Sequence, residues 1–190
     1  MKPFKTLLPL AAALISGAAV AHPGGEHVHG LLAGIAHPLQ GIDHLLVMLA
    51  VGIWSAQQAG QRAWLWPVAF VLAMLAGSLL GMAGVQLSWL ETGIATSALV
   101  LGLLVATAAR LPLLPGAVLC AAMASLHGMA HGAELPADAN AALFGLGFLA
   151  ATALLHLAGF ALARALRQMP SLARYFGGGL ALTGGLLLLG

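Results

Sequence analysis

Eight histidines stand in a chain with only seven lysines and arginines and five acids. Four of them fall in two clusters, each of which also holds a carboxylate. The first reads His37-Pro38-Leu39-Gln40-Gly41-Ile42-Asp43-His44. On one continuous helix, His37 and His44 would share a face, with Asp43 roughly 100° round from His44. Pro38 suits the first turn of a helix and not its interior, which puts His37 at a break or a helix start. The second cluster runs from Ser125 to Glu134, with His127, His131 and Glu134 at i, i+4 and i+7 on one helical stripe. His-x-x-x-His on a helix can offer two nitrogens to one divalent cation. Gly128 and Gly132 would let a neighbouring helix come close to those ligands. Imidazole and carboxylate with no thiolate suit Ni, Co or Zn better than Ca or Mg. The competing readings are a proton relay and a buried Asp–His pair that only locks two helices together.

Other chemistry-bearing residues lie around these clusters. Glu91 opens a later apolar segment at the same outer level. His22, Glu26, His27 and His29 form an H-x4-H-x-H tail that is either a metal-capture device or a solvated polar leader. His156 stands alone in an apolar run, as a deeper relay ligand or as a packed core imidazole. Met123 and Cys120 continue the second stripe as plain core. Cys120 is the sole cysteine, so there is neither a disulfide framework nor a paired-thiolate site.

The elements that must position these groups are membrane spans. The chain is 61% hydrophobic and 6% charged, with a mean hydropathy of +1.01. Soluble domains carry about 25% charged residues, which excludes a cytosolic enzyme, a nucleic-acid-binding module and a disordered regulator. The formal +2 charge rests on Lys2 and Lys5. Those lysines, the apolar run Leu7 to Val20 and the Ala19-Val20-Ala21 site read as a signal peptide over residues 1–21, cleaved before His22. A His-rich tail over 22–29 then precedes a transmembrane domain over 30–190.

Within that domain, six apolar segments at about 30–55, 65–86, 89–109, 112–134, 141–163 and 172–190 are each long enough to cross ~30 Å of hydrocarbon. Continuous rather than alternating apolarity makes the fold all-α, a polytopic bundle of six transmembrane helices. Small residues at Gly77, Ser78, Gly81 and Gly84, and at Gly145 and Gly147, are spaced for close helix contact. With the mature N-terminus outside, Arg62, Arg110, Arg164, Arg167 and Arg174 all fall on the inner side. Glu26, Glu91, Glu134 and Asp138 fall on the outer side. This is the positive-inside pattern, and it predicts a bacterial inner-membrane protein with both mature termini periplasmic. By helix rise, Asp43 and His44 lie roughly 9–11 Å below His37, and His127 about as far below Glu134. The two clusters and Glu91 can then share one cavity open to the periplasm.

Taken together, His37-Pro38-x-x-Gly41-x-Asp43-His44 and His127-Gly128-x-Ala130-His131-Gly132-x-Glu134, after a signal ending at a histidine, resemble the HupE/UreJ family of nickel/cobalt permeases. The resemblance covers the whole chain. It implies uptake of Ni²⁺ or Co²⁺ as transported substrate, no resident cofactor, and an indirect link to hydrogenase or urease maturation. The family's motif residues fall on His37, Asp43, His44, His127, His131 and Glu134, with Glu91 and Phe70 as further matches. A separate group of nickel–cobalt transporters carries H-x4-D-H; the spacing here is H-x5-D-H. The partners expected are the metal ion and the bilayer, with a second copy of the chain allowed and nucleic acid excluded. The runner-up is an intramembrane zinc-dependent hydrolase using His, Asp and Ser125. A haem carrier with His44 and His127 as axial ligands is a third reading.

Overall fold

The structure is a computed structural model that describes residues 26–58, 64–135 and 140–189, with side chains from residue 30 onward. The expected signal peptide, His22, Arg62 and Asp138 lie outside the described residues, and Glu26, His27 and His29 are described in backbone alone.

Among the described residues the fold is all helical. Its elements are α1 (Glu26–Gln40), α2 (Ile42–Gln57), α3 (Leu65–Met82), α4 (Leu90–Thr107), α5 (Leu113–Ala133), α6 (Ala141–Ala165) and α7 (Pro170–Leu187). Four of these, α3 to α6, are long and apolar enough to cross a membrane, and α1 with α2 makes a fifth if the pair crosses as one broken span. The sixth expected span, α7, has the length but dilutes its apolar residues with Ser171, Arg174 and a run of glycines.

The first segment departs from the straight helix that its periodicity suggests. It bends by 86° between α1 and α2. Pro38 sits inside the last turn of α1, where it withholds one backbone donor. Three residues later Gly41 leaves the helix in an extended conformation, φ −97° and ψ 115°. The Gly41 carbonyl then accepts from the Leu45 N–H at 2.9 Å and opens α2. The break thus falls at Gly41, between Gln40 and Ile42. His37 closes one helix while Asp43 and His44 begin the next, so the shared-face and depth relations of a single helix do not apply.

Glycines set the closest helix approaches. Gly77 and Gly81 of α3 lie on the Ser125 and Met129 carbonyls of α5, while Gly128 and Gly132 lie on Met74 and Ser78 in return. A Cβ at any of the four would overlap the neighbouring backbone. This seam fixes the face of α5 that holds His127 and His131. Gly84 has a different task, turning the chain at φ 80° with nothing within 4 Å, and of the other expected pair Gly147 meets the Leu31 carbonyl while Gly145 meets nothing.

At the opposite end of the bundle, Trp54 and Trp66 stack at 4.4 Å. Their indole N–H groups donate to the carbonyls of Ala109 (2.8 Å) and Leu113 (2.9 Å). Gln57 donates to the Val105 carbonyl at 3.1 Å. Carbonyls at and beyond the end of α4 and at the start of α5 therefore find partners without water, as a hydrocarbon surrounding requires. The outward faces carry Leu72, Leu114, Leu154 and Leu157, all exposed.

Candidate metal centre

Three helix ends meet at one end of the bundle. His37 is in the last turn of α1, His131 is in the last turn of α5, and Glu134 caps α5. Asp43 and His44 open α2. The bend between α1 and α2 brings His37 and His44 onto His131 from two sides.

His37 Nε2 lies 2.8 Å from His131 Nδ1 and 3.3 Å from Glu134 Oε2, and His131 Nδ1 lies 3.7 Å from the same oxygen. A metal ion about 2.1 Å from each of three N or O ligands holds them roughly 3.0–3.5 Å apart. The three atoms bracket that separation. Two helix C-termini, those of α1 and α5, also turn their negative dipole ends toward this point, which favours a cation. Side-chain exposure falls from 60% at Glu134 through 21% at His37 to 4% at His131. The trio is open at the carboxylate and closed at the buried imidazole. A cavity of about 30 Å³ beside it, lined by His131, Ser78, Gly132, Phe144 and Phe148 among others, has room for roughly one water.

Behind the trio lie two more imidazoles. The His44 ring is 4.5 Å from that of His131 and 5.0 Å from that of His127. His44 Nδ1–H donates to Asp43 Oδ1 at 3.1 Å, in the first turn of α2, where the helix dipole favours a carboxylate. His127 is fully buried, and its Nε2 lies 2.8 Å from Ser97 Oγ of α4. Phe144 and Phe148 of α6 pack edge-on to His37, and Phe148 also contacts His131 at 4.5 Å. Phe70 approaches His127 at 6.3 Å on the inner side.

Of the residues singled out in the sequence, His37, Asp43, His44, His127, His131 and Glu134 therefore lie in one contiguous network. Glu91 is exposed on the first turn of α4, outside the trio whose ligand atoms converge. His156 is buried outside that network, its ring 5.1 Å from that of Phe70. It borders a groove of about 390 Å³ with Ser55 and apolar residues of α3 and α6. Ser125, the hydroxyl that a hydrolase would use, donates instead to the Ala121 carbonyl at 2.8 Å. Rings of His44 and His127 in direct contact leave no gap for a macrocycle between them.

Sequence reasoning overlooked Ser97, Phe144 and Phe148. A hydroxyl in an apolar span is a usable signal for Ser97. Nothing in the sequence separates the two phenylalanines from ordinary core.

Known proteins agree with the motifs. The family described as HupE / UreJ protein matches residues 10–187. A relative, Protein HupE of Rhizobium leguminosarum bv. viciae, is 43% identical over 192 residues and covers 100% of both chains. No solved structure matches.

Proposed function

Because the chain belongs to the HupE/UreJ family, we propose that it is a multi-pass permease taking up Ni²⁺, or Co²⁺, across the bacterial inner membrane. The ion would serve hydrogenase or urease maturation. The observation that carries this reading is the convergence of His37, His131 and Glu134 from two helix ends, with His44 and His127 directly behind. A resident structural metal would favour a closed shell. A graded series, from an exposed carboxylate to buried imidazoles, suits an ion that enters and moves on. Glu134 and His37 receive the hydrated ion, and His131 draws it off the surface as water is exchanged for nitrogen. Asp43 adds negative charge beside His44 that offsets the dication inside an apolar bundle.

The ligands bind only in their deprotonated forms, so uptake falls as the medium is acidified. The zinc-hydrolase reading has no observation in its favour, since the Ser125 hydroxyl is committed to its own helix. The test is nickel accumulation in a strain lacking its own nickel uptake, with and without this protein. Accumulation that vanishes with His131→Ala at equal membrane expression supports the permease. Tight stoichiometric zinc with no uptake would overturn it.

A further inference from the structure

Hydrogen-bond roles fix two ring tautomers behind the outer trio. Ser97 Oγ lies 2.7 Å from the Ile94 carbonyl, which can only accept, so the hydroxyl spends its proton there. The same oxygen must then accept from His127, so the proton of that ring is on Nε2. Nδ1 of His127 is left bare, buried and without a partner. His44 is set in the mirror sense. Its Nδ1–H is held by the Asp43 carboxylate, and its Nε2 is bare, buried and unpartnered. These rings lie 5.0 Å apart, centre to centre, and His44 is 4.5 Å from His131, whose Nε2 is also buried and unpartnered. Three unpartnered imidazole nitrogens in one apolar interior are costly unless something visits them.

Resting on the permease reading above, we propose that His44 and His127 form an inner station for the dication, distinct from the outer His37–His131–Glu134 trio, with Ser97 as the positioning residue that holds His127 in its binding tautomer. His131 belongs to both stations. It faces Glu134 and His37 through Nδ1 and leaves Nε2 buried on its other edge, so the ion passes around one ring. Ligand chemistry changes on the way, from two nitrogens and a carboxylate to imidazole alone. That shift favours a borderline ion such as Ni²⁺ or Co²⁺ and disfavours Mg²⁺, which keeps its oxygen ligands. Orienting partners of this kind typically govern 10–100-fold in metal affinity or activity.

The experiment uses the full chain in proteoliposomes with Ni²⁺ alone, and nitrogen-labelled histidine NMR of the same protein without metal. Wild type should show His127 protonated at Nε2. Ser97→Ala should give mixed tautomers and reduce nickel flux at saturating nickel about tenfold, while half-saturation, set by the outer trio, stays within about twofold. Ser97→Thr keeps the hydroxyl and should restore both readouts. A wild-type His127 protonated at Nδ1 overturns the proposal. So does a Ser97→Ala protein with normal saturating flux, one altered only in half-saturation, or a Ser97→Thr protein that restores neither readout. If wild type moves no nickel, the permease reading fails, and the tautomers still decide whether Ser97 positions His127.

Discussion

At the scale of single residues, His131 is the side chain with the most to lose. It contacts His37, His44, Phe148 and Glu134, and so joins the outer trio to the imidazole behind it. His131→Ala should therefore abolish uptake at every nickel concentration, read from uptake curves at matched expression. Asp43→Asn is subtler. An amide oxygen can still accept from His44 Nδ1–H, so the ring keeps its orientation while the negative charge is lost. Uptake should fall by roughly 10–100-fold, as for other orienting partners of metal ligands, without loss of folded protein. Glu134→Gln acts at the exposed mouth and should raise the nickel concentration for half-saturation more than it lowers the maximum. Normal transport by Asp43→Asn would show that the carboxylate is a structural partner alone.

Between helices, glycine decides whether the ligands can be placed at all. A Cβ at Gly132 overlaps the Ser78 carbonyl, whereas one at Gly178 meets nothing within 4 Å. Gly132→Ala should lower the melting temperature in detergent, in line with overpacking costs of about 1–3 kcal/mol. Gly178→Ala should leave it unchanged or higher, since glycine is the weaker helix former. Gly41→Ala tests the link from element to site, because the new Cβ would sit 3.0 Å from His44 Nδ1 and 3.1 Å from Asp43 Oδ1. It should cut uptake while the bundle still melts cooperatively. The sequence made the helices and both ligand motifs legible, because apolar length and the i, i+4, i+7 stripe are local properties. The 86° bend was not legible, since periodicity reads residues 30–55 as one rod and Pro38 marks only that a break is near. Glu91 illustrates the same limit. Its position at a segment start fixes a depth but not a direction, and α4 packs mainly on α7, leaving Glu91 exposed. Ser97 was hidden for a further reason: its partner, His127, is thirty residues away on another helix.

For the whole molecule, the two ends of the bundle differ in charge as well as in chemistry. The candidate metal ligands cluster where α5 ends and α2 begins. Arg110 follows α4, Arg164 is in the last turn of α6, and Arg167 and Arg174 flank the start of α7. These are helix ends on the opposite side, the side of the Trp54–Trp66 stack. A positive end marks the cytoplasm, so the ligand end should face the periplasm. Reporter fusions after Arg110 and Arg167 should then read as cytoplasmic, and fusions after Gln86 and Ala137 as periplasmic. One clear inversion would separate the arginine pattern from the orientation inferred from it. With that orientation, His27 and His29 open α1 on the same side as the mouth of the trio. Imidazoles ahead of that mouth raise the local metal concentration without forming the path. Replacing His27 and His29 together with Ala should therefore leave uptake normal at high nickel and reduce it several-fold when nickel is scarce. Uptake curves spanning that range at matched expression make the comparison. A double variant inactive even at saturating nickel would place those imidazoles in the path itself and move the entrance of the route outward from Glu134.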